Sequence, residues 1–232
     1  MTEAGSALAD KTIEVHRRLL AEYGEPTWRP HLDPVSELVS TILSQNTNDD
    51  NRDVAFERLR SRFPTWQQVR DADTEAVIEA IRPAGLANQK GPRIQEALRR
   101  ITQERGEPEL DFLAGWPVED AKDWLNSING VGPKTAAIVL LFSLGRPAFP
   151  VDTHVHRVTK RLGLIGPKVS REKAHEELES LVPEEDYYSF HLNLIRHGRQ
   201  TCTSRNPKCD ECALRDLCDY YQSQAQRAGA GP

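Results

Sequence analysis

The stretch INGVGPKTAAIVLL, residues 128–141, places a glycine-rich turn directly before an apolar helix. Gly130 and Gly132 permit positive φ angles and a close backbone approach, and Pro133 suits the first turn of a helix. The preceding segment, VEDAKDWLNSI (residues 118–128), also predicts a helix. The pattern therefore predicts a helix, a glycine hairpin and a second helix, whose unpaired N–H groups can hold a phosphate. A simple turn between two helices is the alternative.

The lysine in this stretch, Lys134, has the wrong charge for its position. The start of a helix carries roughly half a positive charge, and the residues after Lys134 are mostly apolar. Both effects disfavour the protonated side chain, so we expect a lowered pKa and more of the nucleophilic free amine. The alternative is that Lys134 stays a cation and extends toward a phosphate.

An aspartate follows 18 residues later, in FPVDTHVHRVTKRL (residues 149–162). Asp152 precedes a predicted helix, where it can serve as the N-cap. A lysine and an aspartate from consecutive helix starts can also face one cleft. There the carboxylate accepts a proton or stabilises a developing cation. In the same helix, we expect His154 to be a hydrogen-bonding residue rather than a catalyst.

All the cysteines of the chain lie within 17 residues, in the spacing C-x6-C-x2-C-x5-C: Cys202, Cys209, Cys212 and Cys218. Thiolates suit both zinc and iron–sulfur clusters. A single C-x2-C pair with one cysteine on each side favours the cluster over zinc. We expect a structural role, because no neighbouring residue is suited to chemistry. Arg205 and Lys208, in the first loop of the motif, make it a candidate phosphate contact.

The rest of the sequence predicts an all-α protein of about ten or more helices. Helix start signals recur, and no run alternates with period two. The last ten residues, 223–232, are predicted to be disordered. Net charge is −5, yet residues 130–218 hold 13 Lys and Arg against 11 Asp and Glu, which weakly favours an anion-binding face.

Targeting segments are not evident in the sequence. The longest apolar run has seven residues (136–142), whereas a membrane span needs about 20. The N-terminus lacks the apolar centre of a signal peptide. We therefore expect a cytoplasmic protein with no membrane partner, in a compartment where disulfides are not formed.

The three motifs together, INGVGPKTAAIVL, VDTHVHRVTKRLGL and HGRQTC with the cysteines, resemble the endonuclease III family. These are helix-hairpin-helix DNA glycosylases, and the resemblance extends from about residue 34 to residue 218. It implies two helical lobes with a central cleft. A six-helix barrel would occupy residues 28–145, and residues 1–27 with 146–222 would form a lobe that binds a [4Fe-4S] cluster through the four cysteines.

The resemblance also implies an activity. The protein would remove oxidised pyrimidines in base-excision repair and nick the strand by β-elimination, with Lys134 as nucleophile and Asp152 as its catalytic partner. Its partner would be double-stranded DNA with damaged bases or abasic sites. It would act as a monomer in the cytoplasm, associated with the nucleoid. The residues expected to contact DNA are Gln45, Asn46, Leu86, Gly130, Val131, Gly132, Thr135, His154, Arg205 and Lys208.

Two earlier segments, LSQNTNDDN (residues 43–51) and GLANQKGPRI (residues 85–94), resemble the family segments that line the DNA groove. Asn46 aligns with the residue that fills the gap left by the flipped base, and Gln45 lies beside it. Leu86 matches an intercalating leucine, with a buried core leucine as the alternative.

Two further functions remain open. A mismatch or adenine glycosylase of the same superfamily is disfavoured by Lys134. The adenine-specific type is further disfavoured because only 14 residues follow Cys218, too few for its extra recognition domain. A non-catalytic DNA-binding or redox protein would keep the cluster and DNA affinity without any reaction.

Overall fold

The structure, a computed structural model, describes residues 3–28 and 31–229, and these contain α-helices, short 3-10 turns and one π-helical segment but no strand. The prediction of an all-α protein is confirmed. The α-helices, in chain order, are α1 (Glu3–Tyr23), α2 (Pro34–Ser44), α3 (Asp49–Arg62), α4 (Trp66–Asp71), α5 (Thr74–Ile81), α6 (Ala87–Arg105), α7 (Val118–Asn126), α8 (Pro133–Ile138), α9 (Thr153–Leu162), α10 (Arg171–Leu181), α11 (Tyr187–Gln200) and α12 (Asp219–Gly229).

Several helix start signals of the sequence form side-chain caps in the structure. Asp33 accepts a hydrogen bond from the Ser36 N–H at the start of α2. Thr65 forms a complete capping box with Gln68 before α4. Ser170 caps α10 by accepting a hydrogen bond from the Lys173 N–H. Such caps satisfy backbone donors that the first helical turn leaves unpaired.

The chain divides into two compact units, one formed by Arg29–Arg146 and the other by Met1–Trp28 with Pro147–Pro232. The sequence-based division at residues 28–145 lies one residue away at each boundary. The Arg29–Arg146 unit holds seven α-helices in its described part, and the six-helix barrel stays a prediction. Its core is fully buried and aliphatic, with Leu38, Ile42, Leu59, Ile81, Ile94 and Leu98.

The second unit is built around α1, α9 and α11, where α11 packs against both of the others. Its core includes Leu19, Val155, Phe190 and Leu194. The ring of Phe149, in the segment before α9, packs against Phe190 with ring centroids 6.1 Å apart. The cysteine motif follows α11 and precedes α12, so both of its ends are attached to helices.

The structure differs from the sequence prediction at the C-terminus. Helix α12 extends to Gly229, so residues 223–229, which we expected to be disordered, are helical, and residues 230–232 lie outside the described residues. This part of the prediction is wrong because Gln, Ala and Arg, which recur in the segment, are good helix formers. Across the described ranges, no helix is long and apolar enough to span a membrane.

Candidate functional site

The glycine-rich turn forms the predicted hairpin between α7 and α8. Gly130 has a φ of 83°, and the Val131 N–H closes the turn on the Ile128 carbonyl at 3.0 Å. A Cβ on Gly130 would come within 2.9 Å of the Arg93 side chain. Gly132 then serves as the N-cap of α8, with Pro133 in the first turn. The backbone angle is what favours glycine at position 130, because the flexible Arg93 side chain could shift to admit a Cβ.

Lys134 is the second residue of α8 and is half-buried. The helix does not end at Ile138 but continues as a π-helical segment, Val139–Ser143, whose first four residues are buried. Apolar packing therefore fixes the backbone that carries the lysine. The lowered pKa of Lys134 remains a prediction.

Two residues of this hairpin that are expected to contact DNA, Val131 and Thr135, are buried. The side chains of Val131 and Thr135 are 5% and 4% exposed. Thr135 lies with Ala136 and Ala137 on the buried side of α8. Packing of this short helix therefore leaves backbone atoms as what Val131 and Thr135 can offer to a phosphate, and their contact with DNA stays a prediction.

Asp152 is the N-cap of α9, as its sequence context predicted. Its Oδ1 accepts a hydrogen bond from the Val155 N–H at 2.7 Å, and the residue is half-buried. The cap fixes the orientation of the carboxylate relative to α9. Oδ2 is not used by the cap and is the oxygen that could act on a substrate. Structural capping and a catalytic role are thus compatible in one side chain.

The extended segment before Asp152 is held by three side chains from α10 and α11. His175 Nδ1 lies 2.8 Å from the Phe149 carbonyl oxygen, and His191 Nδ1 lies 2.8 Å from the Pro150 carbonyl oxygen. Because a carbonyl can only accept, both imidazoles carry a proton on Nδ1. The Phe149 N–H donates to Glu179 at 2.9 Å. Side chains therefore bind both the N–H and the carbonyl groups of the backbone that leads to Asp152.

His154 forms the structural hydrogen bond that we expected. Its Nδ1 lies 3.0 Å from Nη2 of Arg157, which also donates to the Gly198 carbonyl at 2.8 Å. The same guanidinium donates through Nε to the Cys202 carbonyl at 3.0 Å. Arg157 thus connects the first turn of α9 to the first cysteine of the metal motif.

The four cysteines line one pocket together with residues of α9, α11 and α12, among them Val158, Leu162 and Tyr220. Across the described ranges, no three His, Cys, Asp or Glu side chains are grouped closely enough to hold a single metal ion. Burial raises the pKa of the Cys212 thiol to about 11 and also raises the pKa of Cys209 and Cys218. A bound metal group, which takes thiolates, would displace these protons.

Hydrogen-bond donors face two of the sulfur atoms. Arg161 Nη1 lies 3.3 Å from Cys202 Sγ, and the Leu214 N–H lies 3.4 Å from Cys212 Sγ. His197 Nε2 is 3.7 Å from Cys212 Sγ, and burial lowers the pKa of this histidine to about 4. Such donors are what sulfur ligands of an iron–sulfur cluster require, so the residues present fit that group. Arg205 and Lys208 are exposed in the same loop.

Each of the two earlier segments expected to face DNA contains a non-glycine residue with a positive φ angle. Asn46 has a φ of 54° and Leu86 a φ of 50°. Leu86 is 47% exposed, which excludes the alternative of a core leucine. Gln45 Nε2 donates to the Gly130 carbonyl at 3.1 Å, so this segment is tied to the hairpin.

Several residues around the site were missed by sequence reasoning. Lys90 is buried in α6, and its position on the apolar face (residues 87, 94, 98 and 101) is a signal that the sequence does contain. His175, His191 and Arg161 gave no comparable signal, because their roles depend on partners distant in the chain.

A hairpin between two helices, a capped aspartate and a four-cysteine pocket on an all-α scaffold define a helix-hairpin-helix iron–sulfur protein of the DNA-repair class. Residues 39–184 match the HhH-GPD superfamily of base excision DNA repair proteins, and residues 202–218 match the iron–sulfur binding domain of endonuclease III. The chain belongs to the HhH-GPD superfamily and, within it, to the endonuclease III family. It is thus a base-excision DNA glycosylase that binds a [4Fe-4S] cluster, and all four cysteines lie within the matched iron–sulfur segment.

Individual relatives agree with this assignment. The chain is 38% identical to endonuclease III of Sulfolobus acidocaldarius over 79% of its own length and 81% of the relative. It is 33% identical to endonuclease III of Thermotoga maritima over 92% and 94% of the two chains. A solved structure of a non-covalent endonuclease III–DNA complex superimposes with a TM-score of 0.80 and 26% identity, covering 94% of this chain and 98% of that one.

Proposed function

We propose that the protein is a bifunctional glycosylase that removes oxidised pyrimidines from double-stranded DNA and cleaves the strand at the resulting abasic site. The observation that carries the proposal is a lysine, Lys134, in the first turn of the helix that follows the glycine hairpin. An amine at this position can displace the base and stay bonded to the sugar, and this covalent link is what allows strand cleavage to follow base removal. The protein would act as a monomer on DNA of the cytoplasm, associated with the nucleoid.

In the first step of the proposed reaction, the bond between C1′ and the base is replaced by a bond between C1′ and the Lys134 nitrogen. The damaged nucleotide leaves the stack, because its sugar cannot be reached inside the duplex. The Lys134 amine attacks C1′ of the deoxyribose, and the bond from C1′ to the base breaks with its electron pair on the base. The Asp152 carboxylate offsets the positive charge that grows on the sugar or takes the lysine proton through Oδ2.

The second step cleaves the strand. The sugar ring opens, and the lysine nitrogen and C1′ form a protonated Schiff base. This iminium acidifies the C2′ proton, whose removal expels the 3′ phosphate by β-elimination. When bound, the [4Fe-4S] cluster serves as a structural cross-link of the loop that carries Arg205 and Lys208, which would contact DNA phosphates.

A panel of duplexes tests the proposal. Each would carry thymine glycol, dihydrouracil, a mismatched thymine or an abasic site, and base release would be scored separately from nicking. We expect base release and nicking in equal amounts on the two oxidised pyrimidines, with nicking on the abasic duplex. Release of mismatched thymine without nicking would assign a mismatch glycosylase instead. No reaction on any duplex would leave a non-catalytic DNA-binding protein.

A further inference from the structure

Lys90 is a cation in the interior of the Arg29–Arg146 unit. Its residue surface is 1% exposed, and its Nζ donates to the Leu43 and Ala84 carbonyl oxygens, each at 2.8 Å. In the described part of the chain no carboxylate forms an ion pair with it, and burial lowers its pKa. A buried charge without a counterion is costly, so its retention calls for a compensating arrangement.

The compensation comes from two helical ends. Leu43 is the penultimate residue of α2, and Ala84 is the last residue of the 3-10 turn Arg82–Ala84. Carbonyls at such ends have no intrahelical partner and carry partial negative charge. One ammonium therefore satisfies carbonyls at the C-terminal ends of two elements that are 41 residues apart in sequence.

Each of these two carbonyls lies immediately before a segment of unusual backbone. Gln45 and Asn46 follow Leu43 closely, and Asn46 has a φ of 54°. Leu86, which follows Ala84 closely, has a φ of 50° and an exposed side chain. A left-handed backbone is unfavourable for a non-glycine residue and persists where its surroundings impose it. The Lys90 ammonium anchors the chain just before both of these residues.

We propose that Lys90 is a positioning residue for base extrusion, whose ammonium ties the end of α2 to the Arg82–Ala84 turn and so holds Asn46 and Leu86 in place to enter the duplex. This inference rests on the proposed function. Extrusion of a paired base requires free energy for unpairing and unstacking. Inserting residues that are already held in place lose less conformational entropy on binding, so more of their binding energy is left for extrusion.

The chain offers a matched control on the same helix. Gln95 is also fully buried on α6. Its Nε2 donates to the backbone carbonyls of Val69 at 3.0 Å, Ala72 at 2.8 Å and Arg70 at 3.5 Å, and its Oε1 accepts from the Thr74 hydroxyl at 2.7 Å. Its acceptors lie in α4 and in the link between α4 and α5, away from the segments that carry Asn46 and Leu86. Lys90→Met and Gln95→Met both remove a buried donor, so a merely structural loss affects the two variants alike.

Amide hydrogen exchange of the cluster-loaded full chain, without DNA, tests whether Lys90 holds these two segments in place. In Lys90→Met we expect amides of residues 43–48 and 84–88 to exchange at least about tenfold faster, which reports local opening rather than global unfolding. In Gln95→Met these segments should exchange as in the wild type. Wild-type exchange of both segments in Lys90→Met overturns the proposal.

Kinetics then test the consequence. Lys90→Met should release thymine glycol from a duplex about tenfold more slowly, while cleavage at a preformed abasic site falls less, because no base pair has to be broken there. Gln95→Met should keep the wild-type ratio of the two rates. Equal loss of both rates in Lys90→Met, in proportion to its melting temperature, overturns the positioning role.

Two further experiments cover the cases in which Lys90→Met does not fold or the wild type releases no base. If Lys90→Met does not fold, Leu86→Ala, altered at an exposed position, should show the same selective loss of base release, and wild-type behaviour would overturn the proposal. If the wild type releases no base, the proposed function has failed. The positioning role of Lys90 is then tested by the ratio of the affinities for an abasic-analogue duplex and an undamaged duplex. Lys90→Met should lower this ratio, and an unchanged ratio contradicts the positioning role.

Discussion

His191 Nδ1 donates to the carbonyl oxygen of Pro150 at 2.8 Å, two residues before Asp152. The histidine is 2% exposed and lies 41 positions further along the chain. With His175 on the neighbouring Phe149 carbonyl, it fixes the approach of the backbone to the proposed catalytic carboxylate. The carboxylate itself is fixed by its cap on α9. Asp152 is therefore positioned both by its own bond to α9 and by the histidine bonds to the backbone that precedes it.

We predict that His191→Phe slows base release about tenfold with little change in DNA affinity. Phenylalanine keeps the ring that packs edge-on against Phe149 but leaves the Pro150 carbonyl without its donor, which costs about 1–3 kcal/mol. Single-turnover base release and equilibrium binding to an abasic-analogue duplex measure the two effects. His156→Phe is the control, because His156 bonds the Val169 carbonyl at 2.9 Å, outside the segment before Asp152. Equal loss in both variants would reduce His191 to a general structural role.

Arg161 is predicted to stabilise the iron–sulfur loop. Besides its contact with Cys202 Sγ, its guanidinium donates to the Thr203 carbonyl at 2.8 Å and stacks on Tyr220 at 4.8 Å. Arg161→Gln should make the cluster potential more negative, because a positive donor near sulfur is lost, and should bleach the visible absorbance several-fold faster in air. Arg215→Gln is the control, since Arg215 lines the same pocket but bonds the Asp210 carbonyl. Identical potentials in the wild type and Arg161→Gln would contradict this role.

Glu37 makes stability depend on pH. Burial raises its pKa to about 7, opposed by nearby Arg52 and reinforced by Asp33. Because the folded state holds this proton more tightly than the unfolded chain, the contribution is fully present below the unfolded pKa of 4.5 and is lost as pH rises through about 7. The loss amounts to as much as about 3 kcal/mol.

Glu37→Gln removes that titration. Its melting temperature should exceed the wild-type value at pH 8, and the difference should shrink toward pH 5. Melting of both proteins across pH 5–8 measures it, with Glu75→Gln, on the exposed first turn of α5, as a control that should follow the wild type. A constant difference between Glu37→Gln and the wild type at every pH would contradict a raised pKa.

Local features of this molecule could be predicted from the sequence because their causes are local. Asp33, Thr65 and Asp152 cap helices through bonds to residues three positions away. The hairpin glycines and the cysteine spacing likewise show their roles within a few residues. The resemblance to endonuclease III joined Lys134 and Asp152 in one proposed reaction, whereas their local patterns also allowed a phosphate contact and a simple N-cap.

The long-range bonds could not be predicted. Lys90 reaches Leu43 across 47 positions, and Gln45 reaches Gly130 across 85. Both are donors to backbone carbonyls, which every residue offers, so the sequence does not mark the acceptor. The buried side chain of Thr135 was missed for a related reason, because helix packing and not residue type decides which side of α8 faces inward.

The central claim is that the Lys134 amine forms a covalent bond with the sugar, and borohydride trapping on an abasic-site duplex tests it most directly. The wild type should give a protein–DNA product that survives denaturation, and Lys168→Gln, which removes an exposed lysine, should trap equally well. Lys134→Gln should give no product while still binding the duplex. A trapped product from Lys134→Gln, or none from the wild type, would contradict the account.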